Sequence, residues 1–123
     1  MNIYFDGGCI PNPGKVSICV VFEGGETFSK LDFADGTNNQ AEWTAMLWAC
    51  ELALSKGVKD VVLIGDSKLV VMQASGEWKI KHEAFLPFKA EFERMRALFD
   101  SLRLVHVKRH LNLAGHYLES VNR

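Results

Sequence analysis

Two aspartates in this chain stand where apolar, β-favouring runs stop. Ile3, Tyr4 and Phe5 lead into Asp6-Gly7-Gly8, and the apolar run at residues 61–64 leads into Gly65-Asp66-Ser67. A carboxylate at the end of a buried strand is costly unless a cation or a hydrogen-bond donor meets it, so such a partner is expected beside each. Asp-Gly-Gly alone is most often an ordinary turn, and Asp6 gains chemical meaning only if other acids converge on it. Glu42, in the first turn of a helical stretch, is a third acid in view, although the helix dipole by itself accounts for an acidic residue there.

The elements that must carry these acids follow from periodicity. Residues 16–22 read as a strand, 23–26 as a Gly-Gly hairpin turn, and 27–33 as a half-exposed strand of alternating character, so the first three strands form an antiparallel meander. The polar run at residues 35–39 caps a helix from Gln40 to about Ser55, with Thr37 or Asn38 accepting from free amides and Gly57 as the stop. Its inward faces are expected to combine Ala41, Ala45, Leu47, Trp48, Leu52 and Leu54. Residues 59–64 form a strand apolar enough to be covered on both faces, and Asp66 opens a second helix from Lys68 to about Ser75. A helix within residues 83–100, begun or interrupted near Pro87, turns Phe88, Phe92, Met95, Leu98 and Phe99 inward. Residues 102–107 alternate as a last strand, and a closing helix follows Asn112.

Composition bounds the class. The 123 residues suit one domain, spanning 1–123, with a core of its own. No apolar stretch reaches membrane-spanning length and the first apolar run lacks a basic leader, so a cytoplasmic protein with no membrane partner is expected. The cysteines, Cys9, Cys19 and Cys50, are odd in number and lack Cys-x-x-Cys spacing, which predicts buried reduced thiols rather than disulfides or a zinc site. A net charge of -1 argues against a broad nucleic-acid grip, but Lys79, Lys81, His82 and Lys89 cluster in one region, and Arg103, Lys108, Arg109 and His110 in another.

Three ordered motifs then coincide with these elements. Asp-Gly-Gly-x-x-x-Asn-Pro-Gly at residues 6–14, Thr-Asn-Asn-x-Ala-Glu at 37–42 and Asp-Ser-x-Leu-Val-Val-x-Gln-x-x-Gly-x-Trp-Lys at 66–79 resemble the signatures of type 1 ribonuclease H, and the match runs from residue 2 onward. The resemblance implies an α/β, ribonuclease H-like fold: a five-stranded mixed sheet, three antiparallel strands followed by two parallel ones, flanked by helices. Asp6 and Asp66 would then end adjacent strands, with Glu42 brought over from a helix packed across the sheet. Three converging carboxylates require a neutralising cation, and all-oxygen ligation suits Mg²⁺ or Mn²⁺. Two such ions roughly 4 Å apart activate water for phosphodiester hydrolysis.

The implied activity is metal-dependent, endonucleolytic hydrolysis of the RNA strand of an RNA/DNA hybrid, giving 5′-phosphate and 3′-hydroxyl ends, by a protein compact enough to act as a monomer. The implied metal set is Asp6, Gly7, Glu42 and Asp66 with a fourth position near the C-terminus. For the hybrid, the resemblance assigns Asn12, Asn38 and Asn39 to the minor groove, where the 2′-hydroxyl distinguishes RNA from DNA, Thr37 to a DNA-strand phosphate, and Trp78 with Lys79 to the DNA-strand channel. Turn and cap roles explain the asparagines equally well, and a core position would explain Trp78.

One position departs from the family. Its usual ending is Asn-x-x-Ala-Asp-x-Leu-Ala, whereas this chain has Asn112-Leu113-Ala114-Gly115-His116-Tyr117-Leu118-Glu119, which puts His116 where the fourth carboxylate belongs. His116 could ligate an ion and favour Mn²⁺, move protons near the leaving group, or mark a site that has lost its second ion. His110, in the preceding loop, is a further candidate proton shuttle. Two alternatives stay open: a weakened or inactive hybrid-binding module of the same fold, and another nuclease of the superfamily that acts on DNA.

Overall fold

The structure is a computed structural model and describes residues 1–122. Its sheet has the order β3-β2-β1-β4-β5, built from β1 (Asn2–Cys9), β2 (Gly14–Phe22), β3 (Thr27–Gly36), β4 (Asp60–Gly65) and β5 (Ser101–His106). β1, β2 and β3 pair antiparallel, and β4 and β5 join parallel beside β1. The expected fold class is therefore the observed one. The helices are α1 (Asn38–Ser55), α2 (Lys68–Ser75), α3 (Leu86–Arg96) and α4 (Leu113–Asn122).

The period-2 alternation of the strands divides the interior in two. Ile3, Phe5, Val16, Ile18, Val20 and Phe22 join the main core with Trp43, Met46, Phe92 and Met95, whereas Cys19 and Val21 join Ala114 and Leu118 of α4, packed with Tyr4 and Tyr117. α1 turns its small residues to the core: Ala41, Ala45, Ala49 and Ala53 are fully buried, while Leu47, Trp48, Leu52 and Leu54 pack only partly buried at its margin. This reverses the expected emphasis, because alanines let the helix backbone approach the sheet, and the fully buried Trp43 reaches Phe88 with ring centroids 6.2 Å apart. α3 ends at Arg96, so Leu98 lies beyond it and is exposed, whereas Phe92 and Met95 are buried as expected. The three cysteines are free and buried.

Two boundaries bear on the site. β1 does not stop at Asp6: it continues through Gly7 and Gly8 to Cys9, paired with β2 throughout, while its pairing with β4 ends at Tyr4 opposite Ile64. Asp6 thus lies just beyond the last parallel pair, in a strand still held from the other side. Gly7 is not the pivot of a turn. A Cβ there would stand 2.3 Å from the Ala41 carbonyl oxygen, so its missing side chain is what lets α1 cross β1 at backbone contact.

Candidate active site

Thr37 starts α1. Its side chain accepts from the Gln40 amide at 3.2 Å, and the Gln40 side chain accepts from the Thr37 amide at 2.9 Å, a reciprocal cap. The helix consequently begins two residues earlier than its periodicity predicts, and Glu42 falls beyond the first turn, where the dipole explanation of its acidity loses force. Glu42 lies instead against the close crossing at Gly7, whose amide donates to its carboxylate. Asp66 follows β4 directly, and Ser67 caps α2 by accepting from the Val70 amide at 3.3 Å.

These local arrangements bring the acids together: Asp6, Glu42 and Asp66 offer oxygens all within 4.8 Å of one another. Asp6 is 0% exposed and Glu42 is buried. Burial first, then the charge and hydrogen bond of Asp6 and the charge of Asp66, hold the Glu42 carboxyl well above the usual range, against the opposing Gly7 amide. Burial, with Asp6 adding to it, likewise pushes the Cys19 thiol up to about 12. A buried, all-oxygen cluster that resists full ionisation is what a hard divalent cation would relieve, and its donor set fits one.

Asn112, just ahead of α4, fixes this arrangement. Fully buried, it donates through Nδ2 to the Phe5 carbonyl and to Asp66 Oδ2, both at 2.9 Å, and accepts at Oδ1 from the Ala114 amide at 3.1 Å in the first turn of α4. One side chain therefore ties α4, β1 and Asp66 together. The α4 residue that faces the acids is Gly115, where a Cβ would lie 3.4 Å from Asp6 Oδ2 and 3.5 Å from Asp66 Oδ2. His116, rotated about 100° further round the helix, is exposed and does not join the acid cluster. His110 is exposed in a single 3-10 turn, Arg109–Leu111.

Sequence reasoning passed over Arg109, seen only as one charge in a basic run. Its guanidinium leans over the acids, with Nη1 3.6 Å from Asp66 Oδ1 and Nη2 3.9 Å from Asp6 Oδ2, while Nε bonds Glu119 Oε1 at 3.0 Å. Partial burial works against its charge, and Asp6, Glu119 and Asp66 outweigh that to raise its pKa.

The mouth of the site is a hollow of about 360 Å³ lined by Gly7, Asn38, Asn39, Glu42, Ser67 and Arg109, among others. Asn39 also borders a second hollow of about 670 Å³ with Trp78, Lys79, Lys81, His82 and Phe85. Trp78 is 42% exposed, which removes the core reading, and the Lys68 Nζ stands 6.0 Å from its ring centre. Asn38 and Asn12 serve the fold directly: Asn38 Oδ1 accepts from the Cys9 amide at 2.9 Å, and Asn12 Oδ1 from the Asn38 amide at 3.1 Å. Asn39 is exposed between the two hollows.

A mixed sheet with this strand order and three acids at its centre defines a ribonuclease H-like domain, and comparison with known proteins agrees. Residues 19–120 match the family described as Reverse transcriptase-like. A ribonuclease HI of Halobacterium salinarum is 32% identical over 121 residues, which span 91% of this chain and 58% of that relative. The crystal structure of RNase H1 from the same archaeon superposes with a TM-score of 0.86 at 30% identity, covering 95% of this chain and 92% of that one. LC11-RNase H1 in complex with an RNA/DNA hybrid superposes with a TM-score of 0.84 at 31% identity, covering 95% and 91%. The chain belongs to the type 1 ribonuclease H family.

Proposed function

We propose that this protein is a metal-dependent endoribonuclease that hydrolyses the RNA strand of RNA/DNA hybrids, leaving 5′-phosphate and 3′-hydroxyl ends. The observation that carries the reading is the meeting of Asp6, Glu42 and Asp66 within 4.8 Å. The relatives named ribonuclease H, and the neighbour bound to a hybrid, support the substrate class.

In this reading Asp6, Glu42 and Asp66, with Gly7 beside them, hold Mg²⁺ or Mn²⁺, and His116 stands outside the ligand set, so the oxygen donors give no preference for Mn²⁺. Such ions, when bound, supply a nucleophilic water near neutral pH and stabilise charge on the phosphate oxygens. The protein's own groups hold the acids in place: the Gly7 amide orients Glu42 and Asn112 orients Asp66. The larger hollow takes the DNA strand, with Trp78 stacking on sugar or base and Lys79 and Lys81 near phosphates. Asn39, between the hollows, is placed to read the 2′-hydroxyl, while Asn12 and Asn38 shape that border. The Thr37 hydroxyl, an acceptor in the cap, keeps its proton free to donate to a phosphate. His116 and His110, both exposed, are assigned to proton transfer at the rim. Residues 1–123 are taken as one domain acting as a monomer in the cytoplasm, a reducing setting that suits free cysteines.

Arg109 over the acids and His116 outside them favour a second reading, a hybrid-binding module with little or no activity. Incubation with a labelled hybrid and with duplex DNA, in Mg²⁺ or Mn²⁺, decides. The nuclease reading expects RNA-strand cutting that falls roughly a thousandfold in Asp66→Asn. Binding without cutting in either metal would support the module, and cutting of duplex DNA a different superfamily nuclease.

A further inference from the structure

Arg109 lies outside the three acidic motifs, yet its guanidinium stands where a cation is needed. At 3.6 Å from Asp66 and 3.9 Å from Asp6 its contact with the acids is one of charge, whereas its Nε at 3.0 Å from Glu119 makes a hydrogen-bonded ion pair. The side chain is thus anchored at Glu119 on α4 and leans into the cluster. With 44% of its side chain exposed, it can swing outward without opening the core.

We propose that Arg109 is a tethered counter-cation that occupies the positive side of the acid cluster in the absence of metal and competes with a divalent ion for Asp6 and Asp66, with Glu119 setting the balance. This rests on the reading above that the cluster takes such an ion. Two buried acids and a third beside them repel unless positive charge is near, and the guanidinium supplies it permanently, since arginine does not deprotonate in proteins. An entering Mg²⁺ or Mn²⁺ meets a like charge a few ångströms away and must move the arginine outward. Glu119 offers it somewhere to go: the more firmly the guanidinium sits on Glu119, the less it opposes the ion. The arrangement keeps the metal-free site from flying apart and sets metal affinity below what the carboxylates alone would give.

The test is calorimetric titration of Mn²⁺ into the protein without nucleic acid, with thermal melting in EDTA alongside. Arg109→Gln is expected to bind Mn²⁺ about tenfold more tightly and to melt at a lower temperature in EDTA. Arg109→Lys, which keeps the charge, should lie between that variant and the unaltered protein. Glu119→Gln should bind about threefold more weakly, and that loss should vanish when Arg109→Gln is also present. Unchanged or weaker Mn²⁺ binding by Arg109→Gln, with the unaltered protein binding normally, overturns the competition and leaves the metal reading intact. Failure of every form to bind Mn²⁺ overturns both.

Discussion

On one face of β1, Ile3 and Phe5 are fully buried in a core closed by Trp43, Met46 and Phe92; on the other, Tyr4 and Asp6 meet α4 and the turn before it, which bring Gly115, Asn112 and Arg109 to the acids. A single strand, alternating every residue, therefore serves two interiors. The first is filled by shape: alanines set the helix spacing, and Gly65 leaves room for the Phe5 ring, which a Cβ there would meet at 2.4 Å. The second is satisfied only by partners, because each buried carboxylate needs a donor or a cation. Stability belongs to the first face and chemistry to the second, and Gly7 belongs to both, since the close crossing it permits delivers Glu42 from α1 to Asp6.

That double role makes Gly7 the place where the two faces break together. Gly7→Ala puts a methyl group against backbone that cannot yield locally, so α1 must shift. A loss of about 3 kcal/mol or more in urea unfolding is expected, and a loss under 0.5 kcal/mol would mean that the crossing is slack. Asn112→Leu acts on the second face alone, leaving the Phe5 carbonyl unsatisfied and Asp66 without its donor. It should cost about 2 kcal/mol by the same measurement.

Glu42→Gln should act in the opposite sense. Because the folded-state pKa of Glu42 is raised above its ordinary 4.5, the native state holds the proton more tightly than the unfolded chain. Metal-free stability contributed by this group is thus present at low pH and lost as pH rises from about 4.5 through the folded value. Glutamine removes that slope. Melting in EDTA should show the variant more stable by on the order of 1 kcal/mol at pH 8 and little changed at pH 5. A variant less stable at both would show that Glu42 holds the fold rather than strains it.

Much of the first face was legible in the sequence. Strand alternation, the hairpin glycines and the Thr37 cap are local, and local patterns specify local structure. The order and spacing of Asp6, Glu42 and Asp66 were legible too, through the motifs around them. What could not be read was geometry between distant segments. Gly7 looks the same in a turn and in a close crossing. Counting from Asn112 put His116 at the fourth position, yet which neighbour faces the acids is a matter of helix rotation, and Gly115 does. Arg109 resembled any other charge in a basic run, because its meaning depends on Asp6, far away in sequence. The partly buried Trp48 and Leu52 were expected inside because helical spacing identifies a face without saying how near it lies to the sheet.

The account stands on the three acids forming one pocket for divalent cations. Anomalous diffraction from crystals equilibrated with Mn²⁺ tests this most directly. A peak bounded by the carboxylates of Asp6, Glu42 and Asp66, absent from Asp66→Asn crystals treated alike, is the predicted result. Saturating Mn²⁺ with no peak between those side chains would contradict it.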